Sequence, residues 1–111
     1  QLRQYIDFLN HPNILPMVDT TEVREADGDP VAFIRDLPPC HLHLSDFVQD
    51  RKHLPPGEGD IDWPGVRNAL TDYRGIYTVE PSYRYYLDDI PAKLEKDLRF
   101  IRQLIEGTRA I

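Results

Sequence analysis

Three short apolar runs, each followed by a segment with helical spacing, leave a chain like this few folds to choose from. The runs are "ILPMV" at 14–18, closing on Asp19, "CHLHLS" at 40–45 and "GIYTVE" at 75–80. The intervals between them are too long for hairpins and carry helix signals instead. Asp29-Pro30 is a good helix start, with Asp at the N-cap and Pro in the first turn, and "VAFIRDL" continues it until Pro38-Pro39. Asp62 caps a second helix running to about Tyr73, with Pro64 in its first turn. After the third run, residues 89–106 give the longest helix, with Ile90, Leu94, Leu98, Ile101, Leu104 and Ile105 as one stripe and Gly107 as a stop. Ahead of the first run, Leu2, Tyr5, Ile6 and Leu9 recur at helical spacing and end near Asn10. Pro16 weakens the first strand. Residues 46–61 read as a loop rich in charge, Pro and Gly.

Strands that alternate with helices pair in parallel through right-handed crossovers. A parallel sheet needs both faces covered, and three strands alone would leave both outer strands as edges. The pattern fits the last three units of a (β/α)8 barrel preceded by one helix. Residues 1–111 are therefore read as a single partial domain, the C-terminal part of such a barrel. The chain opens inside a helical pattern without an initiator Met, which points to further sequence upstream.

Composition narrows the function classes. A hydrophobic share of 41% and a charged share of 29% are those of a globular protein, not a disordered one. A net charge of −6 argues against nucleic acid as a partner, because such surfaces show a basic stripe. No apolar run approaches the roughly 20 residues of a membrane helix. The lone cysteine, Cys40, makes no internal disulfide, so a reducing, cytoplasmic setting is expected.

Asp19, His43 and Glu80 each sit at the C-terminal end of a predicted strand, the end at which barrel enzymes collect their active sites. Alternation puts His41 and His43 on one face of their strand, and Thr78 and Glu80 on one face of theirs. Two carboxylates and an imidazole at one rim suit a divalent metal ion such as Mn, Mg, Co or Zn. Taken singly, each residue also has a plainer reading: a capping acid, a strand-end histidine, a solvated carboxylate.

The strings "HLHLSD", "RKHLPPGEGDIDWPGVRNAL" and "YTVEPS" resemble the C-terminal half of the xylose-isomerase-like TIM-barrel family, from Asp19 in "MVDTTEV" through the final helix. That family includes sugar and sugar-phosphate isomerases and epimerases, and endonuclease IV shares the superfold. The resemblance implies a metal held by Glu, Asp, His and Glu from four strands. Asp19, His43 and Glu80 match the last three, and the first would lie on a strand before residue 1. Two places depart from the epimerase pattern. Glu22 stands where a histidine often follows the metal aspartate, and Gln49 stands where an arginine often follows the metal histidine, with Arg51 two residues later. His53, Glu22, Arg51 and Arg84 are the candidate substrate contacts, and Tyr83, Tyr85 and Tyr86 either line the mouth or pack on the last helix. His41 is expected to fill the interior below the metal, and "GEG" to be a turn.

The resemblance implies a metal-dependent isomerase or epimerase acting on a sugar or sugar phosphate. Proton transfer would pass through an enediolate, with Glu80 as one acid–base group and the upstream glutamate as its partner. The 111 residues alone would then be inactive, and would associate with the rest of their barrel or with a homo-oligomeric copy. Two alternatives stand: an endonuclease-IV-like zinc phosphodiesterase using Asp50 and His53, and a non-catalytic (β/α) binding module. Three placements are expected. The metal residues converge; the loop 46–61 lies over the same rim; and Met17, His41 and Thr78 share an open concave face.

Overall fold

The structure, a computed structural model, describes residues 1–109. Helix α1 (Leu2–Leu9) buries none of its residues and ends at Asn10, whose left-handed φ of 43° lets its N–H donate to the Ile6 carbonyl. Three short strands follow at intervals: β1 (Met17–Asp19), β2 (His41–Leu44) and β5 (Tyr77–Val79). They form one sheet in the order β1-β2-β5. Both pairings are parallel, with Met17 opposite His41, Asp19 opposite His43, and His43 opposite Thr78. β1 is shorter than the apolar run predicts, because Pro16 has no N–H to give a ladder.

The connecting helices begin where the sequence places them. Asp29 caps α3 (Pro30–Asp36) by accepting from the Val31 N–H. Asp62 caps α4 (Trp63–Ala69) by accepting from the Gly65 N–H. α5 runs from Ile90 to Arg109, so it passes through Gly107 instead of stopping there.

Three features differ from the sequence expectation. A short helix, α2 (Thr20–Glu25), starts directly at the end of β1. The predicted loop holds an antiparallel hairpin of β3 (Asp46–Val48) and β4 (Arg51–Leu54), turned by Gln49 in the left-handed region at φ 57°. The single apolar stripe expected on α5 divides in two. Ile101 and Leu104 face the core, while Ile90, Leu94 and Leu98 stay about half exposed, at 49%, 51% and 54%.

Burial alternates along the strands and fixes which face is which. Val18, Leu42 and Leu44 are fully buried, and with Ile34, Trp63, Val66, Leu70, Ile101 and Leu104 they form one core between sheet and helices. Each fully buried Leu of this kind stabilises by roughly 1.5–3 kcal/mol. On the opposite face Met17, His41, His43 and Thr78 are exposed or half-buried, as expected for the inside of a barrel arc. β1 and β5 each pair only with β2 among the described residues, so both flanks of the sheet are edges.

Candidate metal centre

Each of the three strands carries, at or next to its C-terminal end, a side chain that could ligate a metal. β1 ends on Asp19, whose Oδ1 accepts from the Thr21 and Glu22 N–H groups and so caps α2. This leaves Oδ2 for a cation. β2 presents His43 one residue before its end, on the open face. Beyond β5 the ladder extends by one bond, from the Glu80 N–H to the Leu44 carbonyl at 2.9 Å, and brings Glu80 to the same rim.

One ligand atom from each of Asp19, His43 and Glu80 lies within 4.8 Å of the others. Ligand atoms around one divalent ion stand about 3–4.6 Å apart, according to the angle between them, so binding would draw this set closer together. His43 Nδ1 and Glu80 Oε2 already meet at 2.7 Å, with the two side chains 28% and 53% exposed. Two carboxylate oxygens and an imidazole nitrogen are a donor set that a divalent metal accepts. Burial pushes the Asp19 carboxyl above its ordinary range, against the lowering effect of its helix hydrogen bonds and of nearby His53. A cation facing Asp19 would offset that cost.

The rim opens into a cleft of about 480 Å³ lined by Asp19, Glu22, Lys52, His53, Glu80, Pro81, Ser82 and Arg84. The hairpin therefore lies over the rim that carries the three ligands, and the Ser82 N–H donates to the His53 carbonyl at 2.8 Å to hold it there. Arg84 reaches the cleft with its Nε on Ser82 Oγ at 3.1 Å. Arg51 is exposed on β4 and is not among the residues lining the cleft. Asp50 lines a separate depression with Arg24 and Asp60. Of the tyrosines, Tyr86 packs inward and donates to Asp97 on α5, while Tyr83 is exposed. His41 lies beneath His43, its ring edge-on with centroids 5.1 Å apart.

The residue that sequence reasoning missed is Asp46. Its carboxylate is fully buried and accepts four bonds: from the N–H groups of Phe47, Gly57 and Ile61 and from Trp63 Nε1, at 2.7–3.1 Å. The "PPGEGD" string is the wrap around that anion. Gly57 takes φ 91°, and a Cβ on Gly59 would stand 2.5 Å from the Phe47 carbonyl oxygen. The turn reading of "GEG" thus holds, with the Gly57 amide spent on Asp46 and that of Glu58 on the Pro55 carbonyl. An acid directly after a strand, followed by two spaced glycines, was the available signal.

No curated protein matches the chain. The family model described as xylose isomerase-like TIM barrel matches residues 1–104. With parallel strands alternating with helices over nearly the whole length, the chain belongs to the xylose isomerase-like TIM-barrel family.

Proposed function

We propose that the chain provides three of the four ligands of a divalent-metal site in a cytoplasmic isomerase or epimerase acting on a sugar or sugar phosphate. One observation carries the reading: Asp19, His43 and Glu80 come together at the ends of three adjacent parallel strands. When bound, the metal would polarise neighbouring oxygens of a hydroxy-carbonyl compound and make the carbon between them acidic. Glu80, half exposed at the cleft, takes and returns that carbon's proton. Asp19 and His43, less exposed, hold position. The fourth ligand and the second acid–base carboxylate would come from a strand pairing with an open edge of the sheet, so the 111 residues alone bind metal without turning over substrate.

The test is equilibrium dialysis of the chain against Mn²⁺, Co²⁺ and Zn²⁺. One ion per chain is expected, lost in Asp19→Asn, His43→Ala and Glu80→Gln. Equal binding by all three variants would contradict the reading. With the barrel complete, solvent deuterium should enter a ketose or ketose phosphate at carbon. Cleavage of abasic-site plasmid instead would favour the zinc phosphodiesterase, which the position of Asp50 outside the cleft counts against.

A further inference from the structure

The segment that follows Glu80 is fixed at both ends. At its start the Ser82 N–H donates to the His53 carbonyl at 2.8 Å and ties the segment to the hairpin. One turn of 3-10 helix, Tyr83–Tyr85, comes next. It is closed by bonds from the Tyr85 N–H to the Ser82 carbonyl and from the Tyr86 N–H to the Tyr83 carbonyl. At its end Tyr86 is buried and donates to Asp97 on α5. Arg84 stands in the middle of this braced segment and lines the cleft together with Asp19 and Glu80.

The guanidinium of Arg84 is braced as well. Its Nε donates to Ser82 Oγ at 3.1 Å, and the group lies 5.7 Å from the centre of the Tyr85 ring, where cation and π face attract. Both terminal nitrogens are left without a protein partner among the described residues. The other basic groups on the cleft wall are engaged: Lys52 by Glu25, and His53 by Glu22. Arg51 lies outside the cleft, so Arg84 is the guanidinium that reaches it. A long side chain gives up rotamer freedom when it is held. With Nε bound and one face against Tyr85, that ordering is already done, and the terminal nitrogens are preset as a fork of N–H donors. Such a fork matches two oxygens of one phosphate or carboxylate, and matches a single sugar hydroxyl poorly.

We infer that the cleft takes an anionic substrate. Beside the oxygens that face Asp19, His43 and Glu80, this substrate carries an oxyanion group, a phosphomonoester or a carboxylate, which Arg84 grips through its terminal nitrogens. The inference rests on the function proposed above in taking the cleft for the substrate site, and narrows it by setting neutral sugars aside.

The experiment is a titration of the metal-free chain at neutral pH with methyl phosphate and, separately, with acetate. It is followed by nuclear magnetic resonance of the Arg84 Nε–H and of the Ser82 and Tyr85 amides. Salt is held at about 0.1 M, which screens attraction beyond about 10 Å. Saturable movement of these signals by at least one probe is expected. Arg84 is exposed, so Arg84→Gln keeps the fold, and it should bind that probe about tenfold more weakly. Arg84→Lys, which keeps the charge and loses the fork, should fall between the two. Tighter binding of methyl phosphate assigns a phosphomonoester, and tighter binding of acetate a carboxylate. No movement with either probe, or equal affinity in the parent and Arg84→Gln, overturns the inference. That result would leave the three metal ligands standing, and failure of the chain to bind metal would leave the anion result standing.

Discussion

Asp19 caps α2 through one oxygen and faces the cleft from a partly buried position, and its carboxyl is raised above the ordinary 3.8 mainly by that burial. An acid whose folded-state pKa lies above its unfolded value lowers stability as pH rises from 3.8 through the folded value, and the cost persists above it. Asn caps a helix as well as Asp does. Asp19→Asn should therefore melt higher than the parent at neutral pH in the absence of metal, with the gain fading as pH falls toward 3.8. Calorimetry across that range checks it, and a variant that is less stable at pH 7 would contradict the assignment. Tyr86 poses the opposite case. It donates to Asp97, a carboxyl that is 3% exposed and whose other oxygen is buried without a partner. Burial disfavours ionisation of both groups and holds each above its ordinary range. Tyr86→Phe should cost on the order of 1–3 kcal/mol, read from urea midpoints, because it leaves a buried carboxyl without its donor.

At the scale of elements, the hairpin β3–β4 is placed by Asp46 more than by its own ladder. Asp46→Ala would strand three backbone N–H groups and the Trp63 indole N–H in a buried site, a loss on the order of 3 kcal/mol or more. Gly59→Ala should disturb the same wrap through the Phe47 backbone. In both variants His53 should leave the cleft, and a metal site built from strand ends should outlast it; nuclear magnetic resonance of the His53 ring and metal dialysis on the same samples separate the two. The sequence reveals the caps Asp29 and Asp62 because their partners lie two or three residues away. The convergence of Asp19, His43 and Glu80 is legible because strand alternation is also local. Asp46 is hidden because its partners lie up to 17 residues on, at Trp63. The hairpin is hidden because "VQDRK" is polar and turns on a left-handed Gln49, and α2 because six residues opening on two buried threonines give no helical stripe. The split face of α5 depends on which parts of the core lie against it, which no periodicity records.

Across the whole molecule, the sheet is an arc with one face clothed by helices and two edges unpaired among the described residues. Apolar side chains stay exposed in the segments before β1 and around β5. Phe8, Leu15 and Met17 are exposed toward the β1 end of the chain path, and Ile76, Tyr83, Leu87 and Ile90 around β5. Unpaired edges with apolar surroundings drive association. The proposal that the chain joins the rest of its barrel, or a second copy, predicts a mass above 12.9 kDa in sedimentation equilibrium at micromolar concentration. A well-folded monomer would show the arc to be self-sufficient.

The claim on which the rest stands is that three strand ends hold one ion. Crystals of the chain soaked in Mn²⁺ and measured for anomalous scattering test it most directly. The account predicts a single peak bounded by Asp19, His43 and Glu80, within about 2.0–2.3 Å of a ligand atom from each. A map with no peak there, while His43 keeps its 2.7 Å bond to Glu80, would contradict it.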